Sequence, residues 1–227
     1  MTYTVATMAA APDPNEFLEI FNANARPALE SAGGSAIRVS QSVMSGDMTG
    51  RLTIAVDFDS ISAAFEGSLG AGAAVRPAAR EAGIELMSRS LVLTKEERGA
   101  TDGAFGSLLQ VTGDPIDDAT WSTNADTYWA AMSSGATGQK FGQMVAAGVR
   151  TGLYVAVTWT DDLDALQAAS TAMFADPAIQ QLIASQNTAP VSRSLFRRIG
   201  YLSPLLRVEL TGIEPVTPTM PWKCSTN

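Results

Sequence analysis

Ser88-Arg89-Ser90-Leu91 returns as Ser192-Arg193-Ser194-Leu195, and Gln41 and Gly50 find counterparts 102 residues further on in Gln143 and Gly152. A repeat of about this length is a domain-sized unit rather than a solenoid repeat, so it points to gene duplication and a pseudo-symmetric fold. The 227 residues fit two compact units of about 100 residues each.

Working outward, Tyr3 to Met8 reads as a short strand, and Pro12-Asp13-Pro14-Asn15 as a turn into a helix with Asn15 as its N-cap. Phe17, Leu18, Phe21, Ala25 and Leu29 recur at helical spacing up to Gly33-Gly34, the residue type preferred past a helix end. Ala36 to Val43 and Arg51 to Phe58 read as a hairpin around Met44 to Gly50. In its second strand Leu52, Ile54, Val56 and Phe58 alternate with Arg51, Thr53, Ala55 and Asp57, which gives one apolar and one mixed face. A helix from about Ser60 to Ala82, with interruptions expected at Gly70 to Gly72 and at Pro77, precedes a strand from Ile84 to Thr94. The order is βαββαβ.

Lys95 to Gly103, charged and Gly-bearing, is the expected joint between halves. The order then repeats: strand Phe105 to Val111, helix Asp117 to about Ser134, hairpin strands Lys140 to Ala146 and Leu153 to Trp159, helical Leu163 to Gln186, and strand Pro190 to Ile199. Expected boundaries are residues 1–98 and 99–202 for the two halves, with 203–227 a Pro-rich, loosely ordered tail. Within that tail, Gly212 to Thr217 resembles a peptide that appears when a reading frame runs through a tRNA gene, and no site is expected there.

Composition removes many chemistries. The chain has no histidine, which excludes Ser-His-Asp and Cys-His nucleophile arrangements, proximal-His haem ligation and imidazole-based zinc or iron sites. Its one cysteine, Cys224, cannot form an internal disulfide. A net charge of −8 without a Lys/Arg-rich run argues against a nucleic-acid partner. No apolar run approaches the ~20 residues of a membrane-spanning helix, so no membrane partner is expected. No Lys or Arg precedes Arg26, so the basic flank of a secretory signal is missing and a cytoplasmic location is expected. Asp117-Asp118 and Asp161-Asp162-Asp164 read as helix-start acids rather than metal ligands. No metal or other cofactor is expected. The Gly-rich run Gly67 to Gly72 lacks Rossmann spacing and setting.

A βαββαβ unit is a ferredoxin-like half, and two in one chain resemble the dimeric α/β-barrel superfamily in fused form. Phe174-Ala175-Asp176-Pro177-Ala178-Ile179-Gln180-Gln181-Leu182, ahead of the last strand, is similar to the Asp-Pro-x-aromatic/aliphatic-Gln-x-Leu segment of those proteins. The first half lacks it. The resemblance covers roughly residues 1–202 and implies an α+β fold: two ferredoxin-like βαββαβ repeats forming an α/β barrel with antiparallel sheets. It also implies a pocket between a sheet and its own helices or within the barrel. The superfamily includes cofactor-independent monooxygenases, haem-degrading enzymes, isomerases and dehydratases, and stress-responsive proteins, so fold alone fixes no activity.

The candidate site residues are those that could serve such a pocket. Arg89 and Arg193 occupy equivalent strand positions, where a cation can hold a carboxylate, enolate or phenolate, or else pair with an acid or reach solvent. Gln41 and Gln143 line a cavity or satisfy one another. Asp57, mid-strand, becomes a general base if shielded, and is silent if ion-paired with Arg51 or another arginine. Tyr3, Arg26, Tyr128 and Trp129 complete the set, the helix aromatics serving as packing or as ligand contacts. Three classes of function remain open. The chain is a stress-associated or binding barrel for a small hydrophobic organic molecule, a cofactor-independent enzyme for an activated phenolic or lactone substrate, or a ligand-free interaction or structural subunit, and self-association of the fused barrel into a homo-oligomer is open in each case. Convergence of Arg89, Arg193, Asp57 and Tyr128 on one cavity would favour chemistry.

Overall fold

Antiparallel pairing decides the architecture. In the computed structural model, which describes residues 1–199, eight strands close into a barrel in the order β1-β3-β2-β8-β5-β7-β6-β4. They are β1 (Thr2–Ala10), β2 (Ser35–Met44), β3 (Leu52–Phe58), β4 (Glu85–Gly99), β5 (Phe105–Thr112), β6 (Gly138–Ala146), β7 (Tyr154–Thr160) and β8 (Ala189–Ile199). Each half is a four-stranded sheet with the same internal order. The two sheets join through β2 with β8 and β4 with β6, so every strand edge finds a partner. The expected α+β barrel of two ferredoxin-like halves is therefore the fold. The expected tail and Cys224 lie outside the described residues. Among the described residues no helix is long and apolar enough to cross a membrane.

The helices cover the outside. In the first half they are α1 (Pro14–Ile20), α2 (Arg26–Ser31) and α3 (Ile61–Glu81); in the second, α4 (Asp118–Met132), α5 (Leu163–Ala175) and α6 (Pro177–Ser185). Side chains of alternate parity on each strand therefore face either helices or barrel lumen.

Several boundaries differ from the sequence expectation for physical reasons. The cap of α1 is Asp13 rather than Asn15: its carboxylate accepts the Asn15 N–H at 2.8 Å, and Pro14 fills the first helical position. A π-helical turn, Phe21–Ala25, joins α1 to α2 just before Pro27, which has no N–H to continue the ordinary ladder. Helix α3 is unbroken across Gly70 to Gly72 and Pro77. Its buried face is Ala64, Gly67, Ser68 and Ala71, and these small side chains let it sit close to the sheet. A Cβ at Gly67 would lie 3.0 Å from the Phe58 ring.

The expected joint is half strand. Residues Glu96 to Gly99 continue β4 and pair with β6 from Phe141 back to Gly138. The alternating charges there are satisfied laterally: Arg98 binds Glu96 at 2.7 Å and Asp126 at 2.8 Å. The turn begins at Gly99, whose φ of +68° suits glycine. Trp129 packs over Gly99, where a Cβ would come within 2.6 Å of its ring.

Candidate functional site

The two halves treat the same surface differently. In the first, the helix-facing side of the sheet is a continuous core: Val5, Val39, Leu52, Val56 and Phe58 pack against Phe17, Phe21 and Leu29. In the second half the core splits. Met132, Leu166, Ala169, Met173 and Ile179 form one cluster, and Trp121, Ala125 and Phe141 another. Between them lies a cleft of about 150 Å³ under α4, α5 and α6.

The floor of this cleft shows why it stays open. At a spacing of 102, Val5, Ile37 and Val56 become Ser107, Gln139 and Thr158. These three are lateral neighbours, since Ser107 pairs with Thr158 and Gln139 with Thr158 across adjacent strands. A row of apolar core residues has become a row of hydrogen-bonding ones, all three buried. Phe58 likewise becomes Thr160, whose hydroxyl donates to the Gly135 carbonyl at 2.8 Å.

Gln139 is the informative member. It is 3% exposed. Its Nε2 donates to Thr158 Oγ1 at 3.2 Å, while its Oε1 is buried with no hydrogen-bond partner. An unsatisfied buried acceptor costs about 1–3 kcal/mol, so it calls for an explanation.

Around the rim, Arg193 Nε donates to Ser107 Oγ at 3.0 Å and its Nη1 to Gln167 Oε1 at 3.2 Å. Asn124 and Gln186 exchange amide bonds at 3.0 and 3.4 Å. Tyr128 tilts over Phe141, and burial pushes its phenol above the ordinary value, so it stays a neutral hydroxyl. The Tyr154 phenol is raised too, chiefly by burial and then by nearby Asp114, and its hydroxyl donates to the Asp114 carbonyl at 2.9 Å. The one carboxylate among the lining residues, Asp114, accepts from Asn187 at 2.6 Å.

The residues singled out from sequence do not converge. Arg193 and Tyr128 share the cleft. Arg89 holds the equivalent place in the filled half, donating to Thr7 Oγ1 at 3.2 Å beside Gly72 of α3. Gln41 and Gln143 perform the same local task, each donating to the hairpin carbonyl of Gly50 or Gly152 at 3.4 Å; Gln41 also accepts from Arg197 at 2.7 Å. They do not bond one another. Tyr3 lines neither cavity, and Trp129 packs on the joint instead of lining the cleft. Arg26 bonds Asn22 of the π-helical turn and Glu30 of α2, and sits over Phe21.

Asp57 requires a correction. It faces the lumen, not the cleft. Its carboxylate meets Lys140 at 2.7 Å, Arg38 at 2.9 Å and the Thr4 hydroxyl at 2.6 Å. Burial alone would raise its pKa, but the charges of Arg38 and Lys140, with hydrogen bonds from Lys140 and Thr4, outweigh it and hold the carboxyl below the ordinary range. It is a buried counter-ion rather than a general base, the ion-paired alternative, with Arg38 as the arginine and Lys140 as a second cation. Asp117 and Asp162 cap α4 and α5 through bonds to backbone N–H groups, as expected of helix-start acids.

Sequence reasoning missed Ser107, Gln139 and Thr158. The signal that finds them is the repeat itself: aligning the halves shows where core positions turn polar.

No family model matches the sequence, and no curated protein matches it at a significant level. Solved structures share its fold. A haem-binding protein from Thermus thermophilus matches with a TM-score of 0.56 at 10% identity, covering 88% of this chain and 91% of that one. A mutant chlorite dismutase from Candidatus Nitrospira defluvii matches at 0.55 and 8%, covering 87% and 90%. An anthrone oxidase-like protein matches at 0.50 and 13%, covering 88% and 92%. These likenesses are of fold: each is an α+β barrel of the kind that this chain closes with both halves in one chain.

Proposed function

We propose that the protein binds a single-ring organic molecule carrying a hydroxyl or N–H donor, in the cleft between the β5–β8 sheet and α4 to α6. The observation that carries this reading is the unpartnered Oε1 of Gln139 on the floor of the cleft. The size follows from the volume: about 150 Å³ is the scale of a cavity that accepts benzene. Ser107 and Thr158 flank the acceptor, and Trp121, Tyr128, Leu166 and Met173 supply apolar contact.

Haem, named for one structural neighbour, does not fit. The chain has no histidine, both cleft phenols are held in the neutral form by burial, and a single-ring volume cannot hold a porphyrin plane. An enzyme acting on a phenolic or lactone substrate is the second reading, favoured by Arg193 and Tyr128 sharing the cleft. Binding is preferred because the cleft offers a cation and a neutral phenol, while its single carboxylate is bonded to Asn187. The 102-residue correspondence of the halves supports an internal duplication in which one half kept its core and the other opened.

Ligand-observed NMR with p-cresol and toluene tests the proposal. The expected result is binding of p-cresol in preference to toluene, with the preference lost in Gln139→Leu. Absence of binding, or an unchanged preference in that variant, would overturn it.

A further inference from the structure

The second cavity is the lumen of the barrel, about 620 Å³, within the range of sites that enclose a whole small molecule. Its ends are chemically different. Where β1 begins and β3 ends, Thr4, Asp57, Arg38 and Lys140 close the floor, with Arg38 lying over the Trp159 ring at 5.7 Å. The charges there are matched, because Lys140 also reaches Glu97 at 3.3 Å.

At the opposite end the β2–β3 and β6–β7 hairpins fold inward. Each makes a tight turn entered through a glycine of positive φ, Gly46 at +56° and Gly148 at +60°. The turn places Met48 of one hairpin and Arg150 of the other on the lumen wall. Arg150 Nη2 donates to Ser90 Oγ on β4, the strand beside β6, at 3.2 Å. No carboxylate of the described residues lies within salt-bridge distance of Arg150.

Between floor and mouth Ala6, Ala55, Val92, Leu108 and Val157 face inward beside hydroxyl and amide side chains such as Ser40, Thr53, Gln110 and Ser192, and no Asp or Glu of the described residues lines the chamber above its floor. From Thr4 to Met8 the wall runs about 13 Å along β1, at ~3.3 Å per residue. A chain of net charge −8 thus places a half-buried cation, with no counter-ion among the described residues, over an elongated chamber that carries an aliphatic stripe. Such a cation recognises an anion through charge-assisted bonds, and the chamber takes an apolar tail.

We propose that the lumen binds a medium-length aliphatic carboxylate, its chain along the barrel axis and its carboxylate on Arg150. The sheet of β5 to β8 lies between this site and the cleft, with Phe141, Val155 and Arg193 bordering both, and its ligand differs in shape and charge.

Isothermal titration with decanoate and with 1-decanol tests it. Decanoate should bind one per chain, and Arg150→Met, which makes this hairpin match its counterpart at Met48, should weaken decanoate about tenfold or more, the size of a lost charged hydrogen bond. Affinity for 1-decanol should be the same in both proteins. Ala55→Phe, which fills the chamber, should abolish both, whereas the cleft-filling pair Gln139→Ile and Thr158→Val should leave decanoate unaffected. Thermal melts verify folding, and Arg150, on a surface turn, keeps the test available if Ala55→Phe does not fold. Undetectable decanoate binding, equal affinity in Arg150→Met, or loss of binding in the cleft variant would each overturn the assignment.

Discussion

Replacing Asp57 with Asn removes the charge shared by Arg38 and Lys140. All three side chains are 10% exposed or less, so the two cations would be left in the barrel floor with Glu97, at 3.3 Å from Lys140, as the remaining acid. Removing one partner of a buried ion pair costs about 3–5 kcal/mol, and Glu97 places this case near the lower end. At roughly 2–4 °C per kcal/mol for a chain of this size, the melting temperature should fall by about 6–12 °C at neutral pH. The folded Asp57 carboxyl lies below its ordinary value, so its stabilisation is complete above the unfolded pKa of about 3.9 and is lost as pH falls through the folded value. The gap between wild type and Asp57→Asn, followed by urea unfolding under circular dichroism, should therefore narrow below about pH 3.9. The triple change Arg38→Met, Asp57→Leu, Lys140→Met should come out near neutral, because it removes the charges together. A loss under about 1 kcal/mol in Asp57→Asn, or a gap that persists in acid, would refute a desolvated cluster and indicate water at the floor.

Gly106 stands against Phe196 and the Thr158 carbonyl on its lumen side, so Gly106→Ala should destabilise by about 1–3 kcal/mol through overpacking, read as a lower urea midpoint. Gln139→Ile with Thr158→Val restores the first half's pattern and removes the orphan acceptor, and should raise stability by about 1 kcal/mol while abolishing p-cresol binding. Gln41→Ala should cost more than Gln143→Ala in thermal melts, because Gln41 also accepts two bonds from Arg197, whereas Gln143 makes the hairpin bond alone among the described residues.

Periodicity makes the barrel legible because both halves carry the same alternation. Leu52, Ile54, Val56 and Phe58 mark the helix-facing side of β3 in the sequence, and that face is where they pack. Glycine and proline are weaker guides. Gly70, Gly72 and Pro77 suggest breaks in α3, yet tertiary packing of Ala64, Gly67 and Ala71 keeps the helix whole. Charge is weaker still: Lys95 to Arg98 reads as a linker but forms strand, because Asp118, Asp126 and Lys140 arrive from elsewhere to satisfy it. The site is legible in one respect only, the choice of Arg193 and Tyr128. Partners such as Lys140, 83 residues from Asp57, depend on barrel closure and leave no local trace in sequence.

The contrast between halves also explains how one chain can tolerate an open cleft. A barrel whose β2–β8 and β4–β6 seams are both paired transmits the rigidity of one half to the other, since neither sheet has a free edge along which to fray. The first half's core, with Phe17, Phe21, Leu29, Val56 and Phe58 all buried, can then anchor the sheet that the second half leaves partly unfilled. If this is the division of labour, stability and binding should separate by half. Val56→Thr, the change that distinguishes the halves at this position, should lower the melting temperature and leave p-cresol binding intact once the protein is folded. The paired change Gln139→Ile with Thr158→Val, which removes the buried donor and its acceptor together, should do the reverse. A protein in which both changes moved both properties together would have no such division, and the polar row at Ser107, Thr158 and Gln139 would then belong to folding rather than to a ligand.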